Sequence, residues 1–432
     1  MKFVFTFLLY IALFSGSDRA TGSGDPTQFD GPLTFDQCLD RVLSMNAHLT
    51  SARFQALAAE ETIRHAKAWP EPGIGIAAEN VAEEGSDDAW DSAEMVYGIT
   101  ASIEPFGARR ARIREATAIS SAAACDLETA RLDLITETVR RFVDARLADD
   151  QLDLAVQAEE LTKEMSDSAG RRAEAGRVSP MEADRAAAEY SLIAMERRRA
   201  ERNRTAARDS LASLWNGSGA DIPGLIDDAA LHVSPPPDDT AVIPHIESNP
   251  DLKRWDAELD RHNAAVLAAS SLTFPAIELG GSVRRQNATG DSAYEAGVTI
   301  TLPFFSRGRS AVRAAALTRD ASLADKQTAR VELETEARRL CSELRGLFAE
   351  ISELRDITAP AAARVHEAVL EGFRQGKFGY LDSLEARRAL IDSGNRRMNA
   401  SAEYRKRLAE LDRICGGRLG TMGFNRKETS YE

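Results

Sequence analysis

Four segments of the chain alternate apolar and polar residues with a period of two, which predicts β-strands with one apolar and one polar face. The clearest are residues 95–103, 277–283 and 294–302, and residues 73–81 carry a weaker version of the pattern. The apolar positions are Ile74, Ile76, Ala78, Met95, Tyr97, Ile99, Ala101, Ile103, Ile277, Leu279, Gly281, Val283, Tyr294, Ala296, Val298, Ile300 and Leu302. Each segment is close to the roughly 9–11 residues of a tilted strand that crosses a bilayer, but a half-buried sheet in a soluble domain shows the same alternation.

The stretches that follow the strands carry apolar residues at helical spacing. Residues 108–174 contain no proline, and a helix of that length would extend about 100 Å. The apolar seams comprise Leu132, Ile135, Val139 and Phe142 in the first helix, and Leu333, Ala337, Leu340, Leu344, Leu347, Ile351 and Leu354 in the second. Such lengths predict long antiparallel coiled-coil helices rather than a compact domain. Pro360 should kink or break the second helix near Thr358.

The sequence contains an internal duplication. Glycine turns mark the same point of each copy: Gly176, Arg177 and Val178 in the first, and Gly376, Lys377 and Phe378 in the second, an offset of 200 residues. Each copy reads as a short helix, two strands and a long helical hairpin. We therefore predict a signal peptide at residues 1–22, a first repeat at 33–217, a linker at 218–244, a second repeat at 245–417 and a disordered tail at 418–432.

The N-terminal segment has the pattern of a secretory signal peptide, because Lys2 precedes an apolar stretch over residues 3–14 that is too short to span a bilayer. No later stretch approaches the roughly 18 apolar residues of a transmembrane helix. Any membrane contact must then be made by the strands. Four strands cannot close a barrel, and open strand edges are not tolerated in lipid, so several copies of the chain would have to share one barrel.

Composition and charge narrow the classes of function. The formal net charge is −14, so nucleic acid is not expected as a partner. Aromatic residues make up 6% and charged residues 28%, which is typical of long helices. The six histidines are scattered, and neither a phosphate-binding glycine loop nor a nucleophile elbow is present. We expect no catalytic residue, no metal site and no cofactor, and hence no enzyme.

The cysteines leave two interpretations open. Cys341 and Cys415 lie at equal distances in sequence from the second glycine turn, so a helical hairpin would bring them to one level, where an exported protein could form a disulfide. Alternatively, both are reduced thiols, because Cys341 is expected to flank the apolar seam rather than join it.

Aromatic residues cluster near the ends of the predicted strands. They include Trp69, Trp90, Phe106, Phe274 and Phe304. This distribution is typical of the aromatic belt that membrane proteins place at the lipid–water interface.

These features together resemble the TolC-type outer-membrane factor family, over about residues 33–417. The most specific segments are the turns AGRVSPME (175–182) and QGKFGYLD (375–382), and the strand-to-helix junctions IEPFGARR (103–110) and LPFFSRGR (302–309). The resemblance implies a homotrimer with a twelve-stranded β-barrel in outer-membrane lipid and a helical tunnel through the periplasm. It also implies a periplasmic adaptor and an inner-membrane pump as partners. The second junction is closest to members paired with heavy-metal or drug exporters.

The same resemblance assigns residues to the tips of the helical hairpins. It implies that Asp382 and Glu385 line the constriction of the tunnel, whereas an acidic pair in a first helical turn can also simply complement the helix dipole. It implies that the two glycine turns dock the adaptor. Phe378 stands where the family often has a basic residue. A soluble periplasmic coiled-coil scaffold or adaptor is the alternative interpretation of the chain.

Overall fold

A computed structural model of the chain describes residues 31–79, 81, 93–104, 107–226, 233–286, 289–303, 308–375 and 377–419. The helices are α1 Phe35–Met45, α2 Ala47–Lys67, α3 Ala108–Glu174, α4 Pro180–Ala212, α5 Asp239–Val242, α6 Pro250–Ser271, α7 Gly308–Glu353, α8 Ala359–Arg374 and α9 Tyr380–Ile414. The strands are β1 Gly73–Glu79, β2 Glu94–Ile103, β3 Ala276–Gln286 and β4 Ser292–Thr301. The predicted class, mainly helical with four strands in each chain, is confirmed.

The four strands form one antiparallel sheet in the order β1-β2-β3-β4. Its register aligns the apolar positions: Ile76 pairs with Tyr97, Tyr97 with Val283, and Val283 with Tyr294. Because side chains alternate between the faces of a strand, this register gives the sheet one apolar and one polar face. The sequence prediction of four two-faced strands is therefore correct. β1 and β4 each have one edge that is not paired within the described residues.

The long helices form two antiparallel hairpins below the sheet. The 67-residue α3 packs against α2 and α6 in its first part and against α4 and α9 beyond it. The second hairpin pairs α7 and α8 with α9. Within the described residues, no helix is both long enough and apolar enough to cross a membrane.

The second long helix does not end before Pro360. It passes through a π-helical turn, Leu354–Thr358, and continues as α8, with the Ala359 N–H bonded to the carbonyl of Leu354. Proline has no N–H and cannot make the hydrogen bond that an α-helix needs at this point. The wider π turn accommodates the missing bond, and the helix continues beyond it. The predicted interruption near Thr358 is present, but it is a local widening rather than a break.

The main core lies midway along the helices. Phe35 of α1 packs edge-to-face on Phe142 of α3, with ring centroids 5.6 Å apart, and both side chains are fully buried. Cys341 and Cys415 belong to this core and are free thiols. Burial raises the pKa of Cys341 to about 11 and that of Cys415 to about 12. The expectation that Cys341 flanks the apolar seam was wrong, and the structure does not form the disulfide left open by the sequence.

The duplication is visible in the hydrogen bonds of the core. Asn46 caps α2 and donates its side-chain amide to the carbonyl of Leu214 (2.8 Å). Asn249 caps α6 and donates in the same way to Ile414 (2.9 Å). In each copy, a helix cap thus ties the short helix to the end of the returning long helix.

Candidate functional site

The polar face of the sheet is built largely from small residues. Gly75 pairs with Gly98, and Gly98 with Ser282. The neighbouring row comprises Gly73, Thr100, Gly280 and Gly297. A Cβ at Gly75 or Gly297 would meet nothing within 4 Å, and none of these glycines has a positive φ. Neither crowding nor backbone strain within the chain requires glycine at those two positions, and the space over this face stays open.

Arg284 joins three acidic residues at the loop end of the polar face. Its Nη1 lies 2.8 Å from Glu79 and 2.7 Å from Glu94, and its Nη2 lies 3.2 Å from Glu295. The four residues come from the four strands, so the cluster links the whole width of the sheet. One guanidinium against three carboxylates leaves this end of the face acidic.

The apolar face is uncovered in the single chain. Ile74 and Tyr294 are both 83% exposed. Exposed apolar surface that is continuous over a whole sheet marks contact with lipid or with another protein.

Of the predicted belt aromatics, Trp69 and Phe274 are described. Both are exposed, and each lies just before the first strand of its repeat. The guanidinium of Arg109 sits 5.0 Å from the centre of the Trp69 ring. The other three aromatics, Trp90, Phe106 and Phe304, lie outside the described residues.

The first glycine turn closes a helical hairpin tightly. Gly176 has φ of 67°, which glycine adopts at little cost, and the Arg177 N–H bonds to the carbonyl of Arg172 (2.8 Å). Arg177 is exposed and Val178 is half-buried. The Ser179 side chain then accepts a hydrogen bond from the N–H of Met181 at the start of α4.

The second turn closes with the same bond, from the Lys377 N–H to the carbonyl of Gly372 (2.8 Å). Gly376 lies outside the described residues. Phe378 folds back onto the same hairpin, where a Cβ at Gly372 would overlap its ring. The aromatic ring at this turn therefore packs within its own hairpin, and it remains 45% exposed.

Asp382 and Glu385 are both exposed, three residues apart in the first turns of α9. Asp382 also accepts a hydrogen bond from the Gly379 N–H (2.8 Å), so it caps the helix. The structure thus brings the two carboxylates to one helical face and gives one of them a local structural contact as well.

Sequence reasoning missed a buried ionic network between α3 and α4. Asp149 accepts from Arg208 Nη2 (2.8 Å) and Nε (3.1 Å) and from Arg204 Nε (2.8 Å). Arg208 also donates to the carbonyl of Ile222 (2.8 Å) in the linker. The side chains of Asp149 and Arg208 are each 10% exposed. These partners are 55 and 59 residues apart in sequence, so no local pattern marks them.

Asp412 is a second buried acidic residue that the sequence does not reveal. One carboxylate oxygen accepts from the Leu419 N–H (2.9 Å), and the other is buried with no hydrogen-bond partner in the described part of the chain. Burial raises the pKa of Asp412 from 3.8 to about 6. The contact fixes the start of the predicted tail, and residues 420–432 lie outside the described residues.

Asp412→Asn should raise the stability of the protein at pH 7.5 by about 1–3 kcal/mol, because the folded state disfavours the charged form. With the folded pKa raised, the native protein binds the proton more tightly than the unfolded chain. Wild-type stability should accordingly fall from about pH 4 to about pH 6 and then level off. Thermal unfolding across this range measures both effects.

Asp209→Asn is the matched control, because Asp209 accepts an equivalent bond from Gly219 (3.0 Å) but is exposed. An equal gain in both variants would contradict the assignment to burial.

Metal-binding residues are not clustered in the described ranges, which contain no group of three or more His, Cys, Asp or Glu side chains able to hold an ion.

Comparison with known proteins gives consistent matches over most of the chain. The sequence model of the outer membrane efflux protein family matches residues 38–217 and 245–417. The cobalt-zinc-cadmium resistance protein CzcC of Cupriavidus metallidurans is 27% identical over 398 residues, covering 90% of this chain and 92% of the relative. The Campylobacter jejuni CmeC outer membrane channel aligns with a TM-score of 0.75 at 18% identity, covering 89% of this chain and 85% of that one. The open state of the Neisseria gonorrhoeae MtrE outer membrane channel aligns with a TM-score of 0.72 at 21% identity, covering 89% of each chain.

Proposed function

Because the chain belongs to the outer membrane efflux protein family, we propose that it forms the exit duct of a tripartite efflux or type I secretion system. The protein is an outer-membrane channel subunit with a large periplasmic portion. The observation that carries the proposal is the two-faced sheet, apolar and exposed on one side and lined with small polar residues on the other. A soluble scaffold would not need such an exposed apolar face, so the alternative interpretation loses its support.

The open edges of the sheet support a trimer. β1 and β4 run in opposite directions at the two edges, so β4 of one chain can pair antiparallel with β1 of the next. Three chains with four strands each would close a twelve-stranded barrel and leave no free edge in lipid. The apolar face then meets lipid, and the glycine-rich face surrounds a water-filled passage.

The hairpin turns support docking to other components. Arg177 and Lys377 are exposed at the two turns, beside Met181, Phe378 and Leu381, which are 64%, 45% and 52% exposed. Exposed apolar groups flanked by cations suit the coupling of this end to a periplasmic adaptor. An inner-membrane pump would supply the energy, and the duct itself would conduct passively.

Metal cations are the proposed cargo. The relative CzcC is named for resistance to cobalt, zinc and cadmium. The polar face of this chain carries Glu79, Glu94, Glu278 and Glu295 against Arg284 in the described strands. Such an acidic passage favours cations by simple electrostatics.

The proposal is tested by reconstituting the purified protein in planar lipid bilayers, where it should form discrete, cation-preferring channels. Asp382→Ala with Glu385→Ala would remove two carboxylates from each chain of the proposed constriction. We expect a larger single-channel conductance and a half-blocking concentration of trivalent cations raised at least about tenfold.

The matched control is Glu182→Ala with Asp184→Ala, which removes the same number of charges near the first turn. If the control loses block by trivalent cations to the same extent, the effect comes from the overall charge of the hairpin tips and not from a constriction at Asp382 and Glu385. Absence of any channel activity from wild-type protein would refute the duct itself.

A further inference from the structure

A cavity of about 460 Å³ opens between α3, α9 and the junction of α7 with the π-helical turn. It lies beside the linker, which contributes Val233 to its wall. Tyr404 of α9 fixes the linker next to it by donating its hydroxyl to the carbonyl of Ser234 (2.6 Å). The volume is in the range that binds small organic molecules.

The lining of this cavity comprises apolar side chains, called here its floor, and four arginines. Apolar side chains come from all three helices and include Val143, Leu147, Phe348, Ile351 and Met398. The arginines are Arg146, Arg355, Arg397 and Arg405. Ser352 and Ser401 add hydroxyl groups, and Asp150 is the carboxylate among the lining residues. Four guanidinium groups around one small cavity create a local positive potential, although the chain as a whole carries a formal net charge of −14.

The charges of the cavity are only partly compensated. Arg146 pairs with Asp150 (2.7 Å), and Arg355 pairs with Asp356 (2.8 Å). Arg397 is exposed and makes no ion pair or hydrogen bond with any described residue. Arg397 therefore adds a positive charge to the cavity wall that no described carboxylate pairs with.

The position of Arg355 adds a structural argument. It lies within the π-helical turn, and turns of this kind are rare and concentrate at functional sites. Pro360 accounts for the interruption of the helix, and the turn also carries a guanidinium to the cavity wall.

We propose that this cavity binds a small organic anion, with a phosphate or carboxylate group held by the arginines and an apolar body resting on the floor. Guanidinium groups bind such oxyanions through paired, charge-assisted hydrogen bonds. The apolar floor would add affinity by burying the body of the ligand. This inference concerns a cavity between the helices of one chain and does not rest on the proposed function, so either can fail without the other.

Phenyl phosphate is a suitable probe, titrated calorimetrically into the purified full chain at constant ionic strength. Saturable binding with one site per chain is expected. Arg397→Ala should weaken it at least about tenfold, because a charge-assisted hydrogen-bond partner is lost. Arg396→Ala is the matched control, since Arg396 is the next residue of α9, pairs with Asp392 and is absent from the cavity wall.

Three results would overturn the proposal. The first is no saturable binding to the wild-type protein, and the second is an unchanged affinity in Arg397→Ala. The third is that benzyl alcohol, which lacks the charge, binds as tightly as phenyl phosphate. Selective weakening in Arg397→Ala alone would establish the site.

Discussion

Asp149→Ala should lower the free energy of unfolding by about 3–5 kcal/mol, because it leaves a buried guanidinium without its carboxylate. Arg208 would keep its bond to the Ile222 carbonyl but lose both contacts to Asp149, in a position where its side chain is 10% exposed. The network joins α3, α4 and the linker, so its loss should loosen the base of the first hairpin. Thermal and denaturant unfolding of the purified protein measure the effect.

Asp392→Ala provides the comparison. Asp392 pairs with Arg396 at 2.8 Å, but these side chains are 61% and 67% exposed, and water screens such pairs. Little change in stability is expected there. If the two variants unfold alike, the buried network contributes no more than a surface pair, and the predicted weight of Asp149 is wrong.

Val298→Arg should prevent insertion into the outer membrane. Val298 lies on the apolar face of β4, is 62% exposed and pairs with Leu279. An arginine at mid-membrane depth on the lipid side of a barrel costs about 2–4 kcal/mol in each chain, and the cost applies to every copy in the assembly. We expect most of the protein to leave the outer-membrane fraction.

Thr299→Arg is the matched control, one residue further along the same strand. Thr299 lies on the polar face and pairs with Glu278, so an arginine there gains an acidic partner across the strand. This variant should insert normally and reduce the preference of the channel for cations. Equal failure of both variants would mean that the two faces do not differ in environment, which would contradict the orientation proposed for the barrel.

The sheet was predictable because its faces are set by local pattern. Alternation with a period of two fixes which residues share a face, and Tyr97 and Val283 are indeed paired on the apolar side. The glycine turns could also be predicted from the sequence, because Gly176 adopts a left-handed conformation that is unfavourable for residues with a Cβ. The length of α3 followed from the absence of proline in that stretch.

The parts that could not be predicted depend on distant neighbours. Cys341 is not one of the regularly spaced residues of the apolar seam, so the sequence places it beside that seam, whereas α7 packs against more than one element and buries it fully. Pro360 predicts a kink or break. In the structure, a π turn accommodates the hydrogen bond that proline cannot make, and α8 packs against α9. The partners of Asp149 lie on the returning helix of the same repeat and in the linker, and Asp412 accepts its bond from Leu419 beyond the end of α9, so both depend on how the folded chain packs rather than on a local pattern.

In the proposed barrel, the glycines of the polar face would line the passage, and its width could be changed at these positions. An added Cβ at Gly75 or Gly297 would touch nothing in its own chain, so alanine fits there without disturbing the sheet, and larger side chains would extend into the open space over the polar face. In a threefold assembly each such change appears three times around the same circumference. Substitutions of increasing size at Gly75 and Gly297, from alanine to leucine, should thus lower stepwise the largest size of molecule that can leave the cell through the channel.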